Sequence, residues 1–146
     1  MTPLVCNGWT IYFYPLFNKQ FQQLVSEVEN LSSKLSKDKY VTHSSVKRLR
    51  ALLEGIKNKI PSDPFASHFV LQKPLEKYCR LKKMGLHERY RLFFRASREK
   101  KTIIILWLGY PRKEGDKSDC YAVFKKMVYS GSFAESIDEL IAECED

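Results

Sequence analysis

Arg89, Arg91 and Arg95 fall at alternate positions, with Phe93 among them. In an extended chain that spacing puts all four side chains on one side, alternate residues lying about 6.6–7 Å apart. Arg80 and Lys82 repeat the alternation shortly before. Two such segments side by side would make a cationic patch about two strands wide. Guanidinium groups grip phosphate through paired N–H donors, and a ring among them offers a nucleobase a stacking surface. The chemistry suggested is the binding of a phosphodiester. A solvated sheet face, charged to discourage edge-to-edge association, would carry the same pattern.

A second group lies in residues 110–121, YPRKEGDKSDCY. Arg112, Lys113 and Lys117 extend the positive charge into a loop. Asp119 could orient a reacting group or simply cap the helix that follows. Tyr121 could stack on a base, donate a proton or pack into the sheet. The three histidines, His43, His68 and His87, are scattered and form no two-histidine acid–base pair. His87 stands near Arg89 and could reach the patch, or be an exposed turn residue. There is no His-x-x-x-His motif, acidic cluster, glycine-rich phosphate loop or Gly-x-Ser-x-Gly sequence, so the residues point to no metal and no other cofactor. The four cysteines show no Cys-x-x-Cys spacing and read as isolated reduced thiols. These residues thus reach a phosphate-binding basic sheet and stop short of a reaction.

Charge is concentrated along the chain. Residues 1–72 hold 9 Lys/Arg against 5 Asp/Glu, residues 73–126 hold 16 against 6, and residues 127–146 hold none against 6. A basic segment of this kind attracts phosphate, since each neutralised phosphate releases condensed counterions. The acidic end, with Glu135, Asp138, Glu139 and Glu143, would lie over the arginine face or serve solubility. In the first case, deleting residues 132–146 should raise affinity for a phosphodiester ligand. A length of 146 residues suggests one domain, 1–146. No run approaches the roughly 20 apolar residues of a membrane span, and Met1–Trp9 has no signal-peptide pattern, so the cytoplasm is the expected location.

The elements that must position these side chains follow from periodicity. Asn7–Tyr14 is aromatic and β-branched and predicts a strand ended by Pro15. Phe17, Phe21, Leu24, Val28, Leu31 and Leu35 then recur at helical spacing, Ser32–Lys39 reads as a turn, and Val46, Leu49, Leu53, Ile56 and Ile60 make a second helix that stops at Pro61. Ser62–Pro74 reads as a loop. Tyr78–Lys83, Glu88–Ala96 and Thr102–Gly109 predict three strands, joined by short links into an antiparallel meander. The last strand is apolar enough to be central and covered on both faces. A helix from Ser118 or Asp119 to about Tyr129, a break at Gly131 and an acidic amphipathic helix over Ser132–Cys144 complete the chain. The expected architecture is α+β: a small antiparallel sheet packed on one face by an N-terminal helical hairpin, with C-terminal helices and the arginines on the other face.

Three blocks carry a family resemblance: NGWTIYFYPLFNKQFQQLVSEVENL (7–31), RYRLFFRASREKKTIIILWLG (89–109) and GDKSDCYAVFKKM (115–127). Together they resemble the YhaV-type toxins, a branch of the RelE/ParE superfamily, over nearly the whole chain. The resemblance implies a RelE-like fold and endoribonuclease activity on mRNA, commonly at the ribosome. It also implies an antitoxin of the PrlF type with an AbrB-like domain, DNA being met only through that complex. The family's basic strand positions fall on Arg80, Lys82, Arg89, Arg91 and Arg95, and its later polar block on Lys117, Asp119 and Tyr121. The matching mechanism is metal-independent. The ribose 2′-hydroxyl attacks phosphorus, Arg91 and Arg95 stabilise the phosphorane, Lys82 or Lys117 acts as base, and Tyr121 protonates the leaving oxygen or stacks. Two rivals share the fold or the charge: a non-enzymatic gyrase poison of the ParE type, and an RNA-binding module without turnover.

Overall fold

The computed structural model describes residues 3–82, 90–110 and 119–145, with the Asp119 side chain outside that set. Five strands form one sheet: β1 (Leu4–Cys6), β2 (Trp9–Phe13), β3 (Cys79–Leu81), β4 (Arg91–Ser97) and β5 (Thr102–Gly109), in the order β1-β2-β5-β4-β3. The expected meander is present, since β3, β4 and β5 pair antiparallel in sequence order. Two features differ from expectation. The first strand is preceded by β1, paired to it through a tight turn at Asn7 and Gly8. Both turn residues have positive φ (51° and 80°), the geometry that Asn-Gly supplies in a two-residue hairpin. Strand β2 also runs parallel to β5, so the sheet is mixed rather than wholly antiparallel. The helices, β3 and β4 lie between these two strands in sequence, which gives the chain the long crossover that parallel pairing requires.

Helix α1 (Pro15–Lys34) begins on Pro15, whose fixed φ suits a first helical position. The link read as a plain turn holds a short helix, α2 (Lys37–Thr42), with Ser36 accepting from the Lys39 backbone N–H as its cap. Helix α3 (Ser44–Glu54) runs into a π-helical turn (Gly55–Lys59) and a final turn, α4 (Ile60–Ser62), that takes in Pro61. Gly55 packs closely here: a Cβ at this position would meet Leu81 Cδ2 at 2.5 Å, and that side chain would have to shift. Its absence lets the helix close onto β3. The hairpin's apolar stripe, including Phe17, Leu24, Leu52 and Ile56, packs on Ile11, Leu92, Phe94, Ile103 and Ile105 of the sheet.

The opposite face is not open. Helices α5 (Asp119–Tyr129) and α6 (Ile137–Glu145) cover it, burying Phe124, Phe133, Leu140 and Cys144 against Phe93, Ile104 and Leu106. Strand β5 is therefore central and covered on both sides, as its apolar run predicts. A bulge lies on β5: Phe93 pairs with Trp107 and Phe94 with Ile105, leaving Leu106 as the extra residue. The alternation of β4 survives intact, so Arg91, Phe93 and Arg95 share the α5 side while Leu92 and Phe94 enter the other core. Among the described residues no helix is long and apolar enough to cross a membrane.

Candidate active site

Two basic side chains of the sheet meet on one hydroxyl. Arg80, on β3, donates from Nε to Tyr121 Oη at 2.8 Å, and Arg91, on β4, donates from Nε to the same oxygen at 3.3 Å. Tyr121 reaches them from the first turn of α5. The strand register makes this possible: Arg80 pairs with Phe93, so Arg80 and Arg91 are diagonal neighbours on one face. Arg80 Nη1 also donates to the His68 carbonyl at 2.6 Å, and Arg91 Nη1 to the Tyr90 carbonyl at 2.8 Å. Each guanidinium is thus oriented by two bonds, a preorganisation that a phosphate-binding group needs.

An open cleft of about 790 Å³ lies beside this cluster. Arg80, Lys82, Tyr121 and Lys125 line its basic side, and Leu71, Pro74 and Leu75 its apolar side. The apolar wall belongs to the segment read from sequence as a plain loop. It is tied to β3: the Arg80 N–H donates to the Phe69 carbonyl at 2.8 Å, and the Leu71 N–H to the Tyr78 carbonyl at 3.0 Å. Val70 forms a bridge with Cys79, so the loop borders β3 as a near-strand. Sequence reasoning missed this wall, along with Lys125 and the His68 carbonyl. The only local signal is the apolar cluster Phe69–Leu71, which a solvent-facing loop would not need.

Two expected site residues lie elsewhere. Phe93 is not a stacking platform for a base: it is 0% exposed and stacks on Phe124 with centroids 4.2 Å apart. Its other face neighbours are Trp107 and Tyr121. Arg95 does not join Arg91. Its Nη1 donates to the Glu135 carbonyl and its guanidinium lies over the Tyr78 ring, 5.7 Å from the centroid. The reason is the helix laid across the sheet. Phe93 and Phe124 occupy the space between the two arginines, so Arg91 meets Tyr121 while Arg95 meets the chain leading into α6. Burial pushes the Tyr78 hydroxyl above its usual range, and the Arg95 charge opposes that rise.

The acidic end follows Arg95, not the cleft. Asp138 pairs with Lys100 at 2.6 Å, and Glu143 accepts from the Tyr14 hydroxyl. The tail therefore does not lie over Arg80 and Arg91. Nor is it dispensable, since Phe133, Leu140 and Cys144 are core residues. Arg89 and His87 (in 83–89) and Arg112, Lys113 and Lys117 (in 111–118) lie outside the described residues, as does the side chain of Asp119. Among the described residues no disulfide joins the cysteines. Burial pushes the Cys79 thiol up to about 11 and the Cys144 thiol up to about 12. They stay protonated at neutral pH and are poor nucleophiles. Among the described residues, no three His, Cys, Asp or Glu side chains gather as a metal site.

A basic cleft with a tyrosine held by two arginines suits phosphate chemistry, and comparison with known proteins narrows this. Residues 11–145 match the model of a family described as a toxin with endonuclease activity, of a toxin–antitoxin system. The chain belongs to the YhaV toxin family. The ribonuclease toxin YhaV of Escherichia coli (strain K12) is 34% identical, over 99% of this chain and 97% of that protein. Toxin YhaV of Escherichia coli O157:H7 matches to the same extent. Among solved structures, the toxin–antitoxin complex RelBE2 from Mycobacterium tuberculosis aligns with 77% of this chain and 97% of that one, at 17% identity and a TM-score of 0.44. As a YhaV family toxin, this protein has endonuclease activity and an antitoxin as its partner.

Proposed function

We propose that this protein cuts mRNA by metal-independent transesterification in the cleft beside Arg80, Arg91 and Tyr121, and so arrests translation at the ribosome. The observation that carries the reading is the convergence of the two guanidinium groups on the Tyr121 hydroxyl at 2.8 and 3.3 Å. In the reaction the ribose 2′-oxygen attacks phosphorus in line and the 5′-oxygen leaves, giving a 2′,3′-cyclic phosphate and a 5′-hydroxyl. Charge builds on the non-bridging oxygens. Arg80 and Arg91 stabilise it, with Lys82, exposed on the same wall, as a third cation. Tyr121 accepts two N–H bonds, so its own proton is the one it has to give. It protonates the departing 5′-oxygen. Arg89, Arg112, Lys113 and Lys117 extend the positive charge along the RNA.

The same reading places a single toxin domain in the cytoplasm, neutralised by an antitoxin of the PrlF type with an AbrB-like domain. The relative's name, ribonuclease toxin, supports RNA over DNA as the substrate. The experiment is direct: purified protein is incubated with end-labelled RNA, alone in EDTA and with ribosomes in magnesium buffer, and product ends are determined by mass spectrometry. Cyclic-phosphate and 5′-hydroxyl ends are expected. RNA left intact under both conditions would exclude the reading.

A further inference from the structure

The reaction needs a group to take the proton of the ribose 2′-hydroxyl. We infer that His68 is that proton acceptor, a role that rests on the ribonuclease reading above. His68 is exposed, and it stands where two clefts meet. It lines the cleft that holds Arg80 and Tyr121, and also a second one of about 700 Å³ bordered by Lys59, Asp63 and Phe69. Lys82 is the other residue shared by both. A strand of RNA passing from one cleft to the other crosses the His68–Lys82 divide, and Arg80 marks that divide as the place for a phosphate.

The position of His68 is fixed from both ends. Its carbonyl accepts from Arg80 Nη1 at 2.6 Å, so its backbone is bonded to the guanidinium that also holds Tyr121. Its ring rests on Phe69, centroids 4.3 Å apart, and Phe69 is buried edge-on against Phe94 of β4. An exposed histidine held in this way is set for proton transfer rather than left to sweep solvent. The charged groups around it are Lys59 and Asp63 from the α4 side, Lys73 from its own segment, Lys125 from α5, Arg80 from β3 and Lys82 just after it. Between pH 5 and 8 lysine and arginine side chains ordinarily hold their protons and cannot accept another, and a carboxylate is a weaker base than an imidazole, so the histidine is the group suited to act as base there.

The proton balance closes. His68 takes the proton from O2′, the O2′–P bond forms as the P–O5′ bond breaks, and Tyr121 delivers its proton to O5′. Solvent then carries a proton from the imidazolium to the tyrosinate, which resets the site.

The test is cleavage of a short RNA by His68→Gln and Tyr121→Phe across pH 5–9. It uses an ordinary substrate and one with sulfur in place of the bridging 5′-oxygen. A thiolate leaves without protonation. His68→Gln should lose about 10²- to 10⁴-fold in rate and lose the rise of rate with pH expected of the wild type. Sulfur should restore Tyr121→Phe and leave His68→Gln slow. A folded His68→Gln protein with wild-type rate and pH profile would overturn the assignment. So would rescue of His68→Gln by sulfur, which would make His68 the acid. Wild-type protein that leaves both substrates intact, alone and with ribosomes, would instead overturn the ribonuclease reading, and this role with it.

Discussion

Arg91 and Arg95 stand on one strand and point to one side, yet they do different work. Arg91 meets Tyr121 at the edge of an open cleft. Arg95 bonds the Glu135 carbonyl and lies over Tyr78, anchoring the chain that leads into α6. Between them sit Phe93 and Phe124, stacked and excluded from solvent. The difference teaches that a row of arginines on a strand is not yet a site. What lies across the sheet decides which arginine reaches Tyr121 beside the open cleft and which clamps the chain leading into α6.

The comparison can be broken at its centre. Phe93→Ala should cost about 3–5 kcal/mol of stability, the usual cost of emptying an aromatic core position, and should be read by urea denaturation. A loss below about 1 kcal/mol would mean that the ring is not the divider described here. The next effect is on the cleft side alone. Arg91→Ala should lower RNA cleavage by about 10²- to 10³-fold, the range seen when one preorganised donor is removed, with an unchanged circular dichroism spectrum. Arg95→Ala should show the reverse pattern. It should lose about 1–3 kcal/mol of stability, as for a charged hydrogen bond, while cleavage per folded molecule stays within about threefold. Equal loss of cleavage in the two arginine variants would erase the distinction. The exposed Lys100–Asp138 pair should matter least, and Lys100→Ala should leave both the unfolding midpoint and cleavage unchanged.

Alkaline pH should act on the core more than on the surface. The buried Cys79 and Cys144 thiols ionise at about 11 and about 12 when folded, against the usual 9.0. Below pH 9 both states hold these protons and stability is unaffected. Above it the unfolded chain releases them first, so stability should fall as pH rises from 9 toward 11–12. A urea midpoint that stays level over that range would show these thiols to be better solvated than the core packing implies.

The sequence carried the local pattern well and the layering less well. Alternation on β4 was readable because a strand's side chains switch faces at every residue, and both cores obey it. The apolar run of β5 announced a central strand. Phe93, by contrast, looked like a ring presented among cations, because nothing in β4 itself tells that Phe124, some 30 residues later, lies on top of it. The same helix separates Arg95 from Arg91. The Asn7-Gly8 turn was a legible hairpin signal that a search for strands beginning at Asn7 overlooked. The parallel pairing of β2 with β5 depends on where the chain returns after the helices, β3 and β4, which no local period encodes. The cleft wall over 67–75 was hidden for a related reason: its pairing with β3 is made by backbone groups, which every residue carries alike. Its family membership, by contrast, was legible from three blocks of residues whose combined pattern is far more specific than any single arginine.

The central claim is that Arg80 and Arg91, held on Tyr121, form the centre that cleaves RNA. Single-turnover cleavage of one RNA by wild type, Arg80→Ala, Arg91→Ala and the double variant tests it most directly. The account predicts a loss of about 10²-fold or more in each single variant and a double variant scarcely worse than either, as for groups that act as a unit. Single variants that fold and cut RNA at the wild-type rate would contradict it.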